Sequence, residues 1–369
     1  LRLGGIVLDS CQLRNPSWAA FFRDFGRDAL PGFVVARYTA PPDRNSWGRV
    51  HEKLAATASF LLNFPAPVRP YPTLLTQLLM STLPWDLDPK FDFCGEHRLQ
   101  PGEKISLEKI PTEFDGPFRG KEHGRAFTEK VVEEIRDLQY QMFIEGKQSL
   151  LIVLQAPDAA GKDGLIRKVL GQMNPQGCRT YPFKVPSELE LSHDFLWRIH
   201  QAAPAVGMVS IFNRSHYEDV LVVRVEDIVP KSVWKQRYEL INQFEKLLAH
   251  RGTKILKFYL HISPAEQLER FGKRLDDPTK HWKLNPGDYT ARDKWAAYRE
   301  AYEDVFEKCN SSHAPWHVIP ADKKWYRDAS VAAIVKKTLQ DMNPQLPPID
   351  VDLDEIRSLY EAAKASQGD

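Results

Sequence analysis

The run Leu150-Leu151-Ile152-Val153-Leu154, followed at once by Gln155-Ala156-Pro157-Asp158-Ala159-Ala160-Gly161-Lys162-Asp163-Gly164, limits the fold more than any other stretch. The aliphatic run is too short to cross a bilayer and reads as a fully buried strand. Small residues break it, and Leu165-Ile166-Arg167-Lys168-Val169-Leu170 then starts a helical pattern. Strand, small-residue loop and helix in that order are the layout of a phosphate-binding loop. Successive backbone amides and the helix N-terminus suit an anion there, and Lys162 adds a positive charge. The candidate phosphate contacts are Ala159, Ala160, Gly161, Lys162, Asp163 and Gly164.

The strict pattern G-x-x-x-x-G-K-[ST] is not met. Ala156 stands at the first glycine and Asp163 at the Ser/Thr. The hydroxyl that usually binds magnesium is therefore missing, and Asp158 is the candidate replacement. Plainer roles exist for each residue. A Gly-Lys pair can be a simple turn, Asp158 can bond its own backbone, and Asp163 can complement the helix dipole.

The rest of the chain alternates. Apolar periodicity over about 125–146 predicts a helix ended by Gly146. Further strands are expected at Arg179–Phe183, Met208–Phe212, Lys254–Ile262 and Trp316–Ile319. Ser187-Glu188-Leu189-Glu190 is a capping-box pattern for a helix reaching His200, and Ser215-His216-Tyr217-Glu218 repeats it. Ser263 followed by Pro264 opens another helix, and Lys324–Asp341 is the last of the core. Strands alternating with helices argue for an α/β fold with a parallel sheet covered on both faces. Residues 80–122 read as an extended arm, 123–346 as the main domain and 347–369 as an acidic tail.

Residues 1–79 look foreign to this pattern. They hold no methionine, and eight arginines to one lysine, against seventeen and twenty-four in 80–369. The expectation is a non-native or disordered extension with the natural start at Met80; a true accessory segment is the competing reading. The 369 residues balance 50 basic against 49 acidic side chains, so no global electrostatic case exists for nucleic acid or membrane. Cys11, Cys94, Cys178 and Cys309 are widely spaced and suggest neither zinc nor a disulfide framework. With no signal peptide and no run of transmembrane length, a soluble cytoplasmic protein is expected.

Polar residues crowd the end of the third strand: Asn213, Arg214, Ser215, His216, Tyr217, Glu218 and Asp219. Ligands gather at the carboxyl ends of parallel strands, so this position is informative. Arg214 suits phosphate oxygens, and Glu218 suits magnesium; alternatively Glu218 caps a helix and Arg214 pairs with a carboxylate. Arg270, Lys273 and Arg274 share one helix face ahead of Lys280 and Lys283. This helix–turn–helix, about 264–295, lies where nucleotide kinases carry a lid, and a lid over phosphates needs cations. A solvated charged face is the plainer explanation. Lys184 and Ser187, after the second strand, are candidate nucleotide contacts.

Taken together, the chain resembles the second family of polyphosphate kinases. The resemblance rests on Asp158–Gly164, Leu191–Arg198, Phe212-Asn213-Arg214-Ser215, His281–Asp288 and Lys324-Trp325-Tyr326-Arg327, collinear from about Pro101 to Asp350. It implies a P-loop kinase-like three-layer α/β/α architecture with about five parallel strands and a helical lid. It also implies magnesium-dependent transfer of the terminal phosphoryl group of inorganic polyphosphate to a nucleotide. Asp158 would match the family's metal-linked catalytic aspartate, and Arg214 and Arg274 its polyphosphate-binding arginines. Many members carry Asp where this chain has Asn213. With Glu218 downstream, that points to the subgroup phosphorylating AMP and ADP, with GMP and GDP left open. On this reading Asp158, Lys162, Arg214 and Glu218 are catalytic. Asp158 and Glu218 hold the metal, Lys273 and Arg274 grip polyphosphate, and Lys184, Ser187, Asn213 and Glu218 face the nucleotide. A homo-oligomer, dimer or tetramer, is expected. An ATP-dependent nucleotide kinase and a non-catalytic polyanion- or nucleotide-binding module remain as alternatives.

Overall fold

The five expected strands form one parallel sheet in order β2-β3-β1-β4-β5, with β2 a half-exposed edge strand. The structure is a computed structural model that describes residues 91–366. The readings for residues 1–79, for a start at Met80 and for the first part of the arm, residues 80–90, lie outside the described residues.

In chain order, α1 spans Phe93–His97 and α2 Lys121–Glu145, the latter closed by Gly146 in the left-handed region (φ 64). Strand β1 (Ser149–Gln155) leads into α3 (Lys162–Lys168), and β2 follows at Cys178–Pro182. Two short helices, α4 (Glu188–Leu191) and α5 (Trp197–Ala202), precede β3 (Val209–Asn213). A 3-10 turn at His216–Asp219, α6 (Val222–Val225) and α7 (Lys231–His250) lead to β4 (Thr253–His261). Then come α8 (Pro264–Leu275), a 3-10 turn at Pro278–Lys283, α9 (Pro286–Asp293) and α10 (Trp295–Lys308). Strand β5 (Trp316–Pro320), α11 (Lys324–Met342) and the exposed α12 (Leu353–Ala365) complete the described chain.

The sheet divides the core into two layers because side chains alternate along a strand. Leu150, Ile152 and Leu154 of β1 pack with α2 and α11, whereas Leu151 and Val153 pack with α7 and α10. Every residue of β1 is buried, as expected for a strand covered on both faces. Within the described part of the arm, residues 91–122, Phe93, Leu99, Leu107 and Phe118 are buried in these same cores.

Two expected helix starts are corrected. The helix over 188–200 is two helices, because the Asp194 carboxylate accepts from the Leu196 amide (2.9 Å) and restarts the chain after Ser192. The capping box expected at Ser215 does not form. Its hydroxyl accepts from the Tyr217 amide (3.2 Å) at the head of the 3-10 turn, and Glu218 does not cap it. The Ser187 box does form, with Glu190 bonding back to the Ser187 amide at 2.7 Å.

Candidate active site

Strand β1 lies between β3 and β4, and after β1 the chain builds β2 and β3 on one side of it before crossing to β4 and β5 on the other. The crossover direction therefore reverses at β1, and a crevice opens at its carboxyl end. The β1–α3 loop, the β3 end and the segment after β4 all meet there. This places Asp158, Lys162, Arg214 and Glu218 in one electrostatic cluster.

Two non-glycine residues take the left-handed backbone conformation at this point, Ala159 (φ 63) and Arg214 (φ 61). Such geometry is held only when the surroundings impose it. For Arg214 they do. Its amide donates to the Leu154 carbonyl (3.1 Å), and the following Ser215 is buried and accepts from Gln155 (3.1 Å). Beneath, the fully buried Lys257 donates to Glu245 (2.7 Å), the Tyr217 hydroxyl (2.8 Å) and the Cys309 carbonyl (2.6 Å). Removing either charge of that pair would leave the other buried and uncompensated. The network so pins the turn that carries Glu218.

The Arg214 guanidinium reaches across to Asp158 at 2.8 Å. Burial works against its charge, but Glu218 and Asp158 outweigh burial and raise its pKa. Lys162 folds back onto the Ala156 carbonyl (2.9 Å). Burial lowers its pKa, opposed by Asp158, Glu218 and Asp163 and reinforced by Arg214. At Asp163 burial favours the neutral acid. Hydrogen bonds from Lys283 (2.7 Å) and Asn213 (3.0 Å) prevail, and the pKa falls. Asn213 suits that contact because its amide donates where an aspartate would repel Asp163.

The loop itself is held from behind. Arg270, on α8, uses all five of its N–H donors. They go to Glu266 (2.6 Å), the carbonyls of Ala159 (3.0 Å) and Ala160 (2.8 Å), and those of Ala321 (2.6 Å) and Asp322 (3.0 Å). Arg327, on α11, adds a second bond to the Ala160 carbonyl (3.0 Å). Gly161 is required twice over: its φ is 101, and a Cβ there would strike the Arg327 guanidinium.

The basic cluster of α8 divides. Gln267, Arg270 and Phe271 form its buried face, and Arg274 continues that stripe at the next turn. Arg270 therefore braces the loop and is not a surface cation of a lid. Arg274 pairs with Asp288 at 3.0 Å, and Asp288 in turn feels Asp158. Lys273 is exposed at the edge of that face and pairs with Glu269, and the charges that act on it are those of α8 itself, Glu269, Glu266 and Arg270. Ser187 is occupied as the α4 cap, and the Lys184 carbonyl accepts from Arg198 (2.9 Å) beside a cavity of about 370 Å³. That cavity is lined by Tyr181, Phe183, Lys184, Val185 and Glu190 among others.

Sequence reasoning missed Gln267 and Arg327 as parts of the site, and Lys283 and Asp288 as individual contacts. A signal existed for three of them: Arg327 ends the motif Lys324-Trp325-Tyr326-Arg327, and Lys283 and Asp288 sit in the run His281–Asp288 of the helix–turn–helix expected to move over phosphates.

The model of the family described as polyphosphate kinase 2 matches residues 119–347. The AMP/ADP-polyphosphate phosphotransferase of Meiothermus ruber is 46% identical over 253 residues, 68% of this chain and 95% of that protein. The ADP-polyphosphate phosphotransferase of Rhodopseudomonas palustris is 40% identical over 264 residues, 68% of this chain and 91% of the relative. The crystal structure of polyphosphate kinase 2 from Arthrobacter aurescens TC1 superposes with a TM-score of 0.71 at 40% identity, covering 74% of this chain and 97% of that one. The motifs at the crevice and the agreement over two thirds of the chain lead to one conclusion: this chain belongs to the polyphosphate kinase 2 family.

Proposed function

We propose that the chain transfers the terminal phosphoryl group of inorganic polyphosphate to AMP and ADP. The observation that carries this reading is the Asp158–Arg214 pair (2.8 Å) beside Lys162, with Lys283 crossing from the segment after β4 to Asp163 (2.7 Å). That puts a carboxylate among cations in the crevice where a phosphate chain would lie. The names of the relatives support the substrates, and residues 264–295 are read as the lid.

A phosphate oxygen of the acceptor attacks the terminal phosphorus of polyphosphate. The P–O bond to the bridging oxygen breaks, and that oxygen stays with the shortened chain. The acceptor oxygen is already ionised, so no proton has to move. Catalysis then rests on in-line positioning and on neutralising the equatorial oxygens. Lys162, Arg214 and Arg274 supply positive charge, and the loop amides orient the donor.

The donor set fits magnesium. Among the described residues no group of three or more His, Cys, Asp or Glu could hold a metal ion. Magnesium is commonly held by one or two carboxylates plus substrate phosphates. Asp158 and Glu218, which act on the same charges of Lys162 and Arg214, are the residues that would hold it. When bound, it would neutralise phosphate oxygens. The cavity beside Lys184 would take the nucleotide base. Free thiols at Cys94, Cys178 and Cys309 fit a reducing cytoplasm, and among the described residues no helix is long and apolar enough to cross a membrane.

The test is incubation with AMP, magnesium and polyphosphate, read by nucleotide chromatography. ADP and then ATP should appear. Turnover of AMP with ATP but not with polyphosphate would instead mark an ATP-dependent nucleotide kinase.

A further inference from the structure

Three consecutive carbonyls of the phosphate loop, those of Asp158, Ala159 and Ala160, are gripped by side chains from outside it. Arginines hold two of them. The first is held by an amide, the Nε2 of Gln267, which donates to the Asp158 carbonyl at 3.0 Å. Gln267 is 3% exposed, so both ends of its amide need partners. With Nε2 directed at the loop, Oε1 must face away from it, and there it accepts from Arg292 at 3.1 Å. Arg292 belongs to α9, the second helix of the segment read as a lid, and it also donates to the Pro264 carbonyl (2.6 Å) where α8 begins. A single amide thus joins α9 to the peptide that carries Asp158.

We propose that Gln267 is a positioning residue that couples closure of the lid to the setting of Asp158. With α9 seated, Arg292 satisfies Oε1 and the amide is held in the one orientation that bonds the loop. When α9 swings away, Oε1 loses its donor inside a buried site. The amide then gains by turning toward water, and its hold on the Asp158 carbonyl weakens. Asp158, its Arg214 pair and the left-handed Ala159 that follows relax together. The loop is fully set only under a closed lid, so the transferable phosphoryl group meets an organised site only when bulk water is excluded. Arg270 has no such switch, because its five bonds go to the loop, to its own helix and to the end of β5, none of them to α9.

This inference rests on reading α9, the second helix of the segment 264–295, as the moving part of the lid while Arg270 keeps α8 on the loop, and on the crevice as the site of phosphoryl transfer. The experiment is a double-mutant cycle of Gln267→Met and Arg292→Met, near-isosteric changes that keep packing. kcat and KM are measured for polyphosphate and for AMP, with thermal midpoints alongside. Each single variant should lower kcat roughly tenfold, and the pair should lower it by about the same factor and not by the product. KM for AMP should stay unchanged, and Arg292→Lys, which keeps a cationic N–H donor group, should restore part of the loss. Losses that multiply, an unchanged kcat, or losses that track the thermal midpoint would overturn the proposal. A second readout does not depend on turnover. Amide hydrogen exchange over residues 158–162 should quicken in Arg292→Met relative to the wild type, while β1 stays protected. Unchanged exchange there would also overturn the coupling. A wild type that cannot use polyphosphate would refute the proposed activity, and the exchange measurement would still decide the coupling.

Discussion

On the proposed function Asp158 and Lys162 sit on a loop that every acceptor would share, so their loss should not discriminate between acceptors. Asp158→Asn or Lys162→Ala should slow transfer to AMP and ADP alike, by roughly hundredfold if each stabilises transition-state charge by about 3 kcal/mol. Glu218 differs. The turn it belongs to is capped by Ser215 through Tyr217, so a capping role does not account for its carboxylate. It acts on the charges of both Arg214 and Lys162, from the β3 side of the crevice. Glu218→Gln keeps the shape and removes the charge. On the proposed function it should reduce kcat/KM for AMP more than for ADP, because the shorter acceptor would depend more on a metal held at its own phosphate. Equal losses for the two acceptors would make Glu218 part of the common machinery.

At the scale of elements, the phosphate loop is rigid from behind and contacted from in front. Arg270 and Arg327 hold its carbonyls, and lysine could not replace Arg270, since an ammonium has three donors where five are used. The front contact is Lys283 to Asp163, a pair whose carboxylate is largely exposed and whose strength is that of a surface ion pair. Lys283→Ala should therefore raise KM for polyphosphate by no more than about fivefold, equivalent to about 1 kcal/mol, with little change in kcat. The difference from wild type should shrink as salt screens the pair. A KM identical to wild type at low salt would separate Lys283 from lid closure.

Over the whole molecule, buried histidines set the response to acid. His97 and His317 are pushed down to about 4 by burial, and burial also lowers His216 and His261. Above pH 6.5 these imidazoles are neutral in the folded and unfolded chain alike, and their contribution to stability is fully present. As the pH falls from 6.5 toward 4, the unfolded chain binds protons that the folded one excludes, and stability is lost. The loss is at most about 3 kcal/mol each for His97 and His317. Asp219 works in the opposite direction. Burial raises its carboxyl to about 6, helped by Glu218 and opposed by Arg237 and Arg198, so it favours the folded chain as the pH drops below that value. Four histidines outweigh one aspartate, so the thermal midpoint should fall steadily between pH 6.5 and 4.5 in calorimetry. Gln in place of His97 should flatten that slope. A midpoint that holds or rises over the range would contradict this assignment of the buried charge.

The strands, the phosphate loop and the cap at Ser263 were legible in the sequence because each is a local property. Short strand-forming runs, a Gly-Lys pair and a Ser-Pro start are set by residues a few positions apart, and burial on both faces of β1 follows from an unbroken aliphatic run. The family motifs brought Asp158, Arg214 and Glu218 into one list for the same reason: they lie at strand ends, where parallel α/β sheets collect ligands. Only the tertiary structure decided what each charge does. Arg270, Lys273 and Arg274 are alike as letters, yet one is buried under the loop, one is solvated and one faces Asp288. The loop's supports come from residues 109 and 167 positions away, Gln267 to Asp158 and Arg327 to Ala160. No periodicity records such pairings. They exist because packing α8 and α11 against the sheet buries polar groups, and a buried polar group must find its partner wherever the fold has placed one.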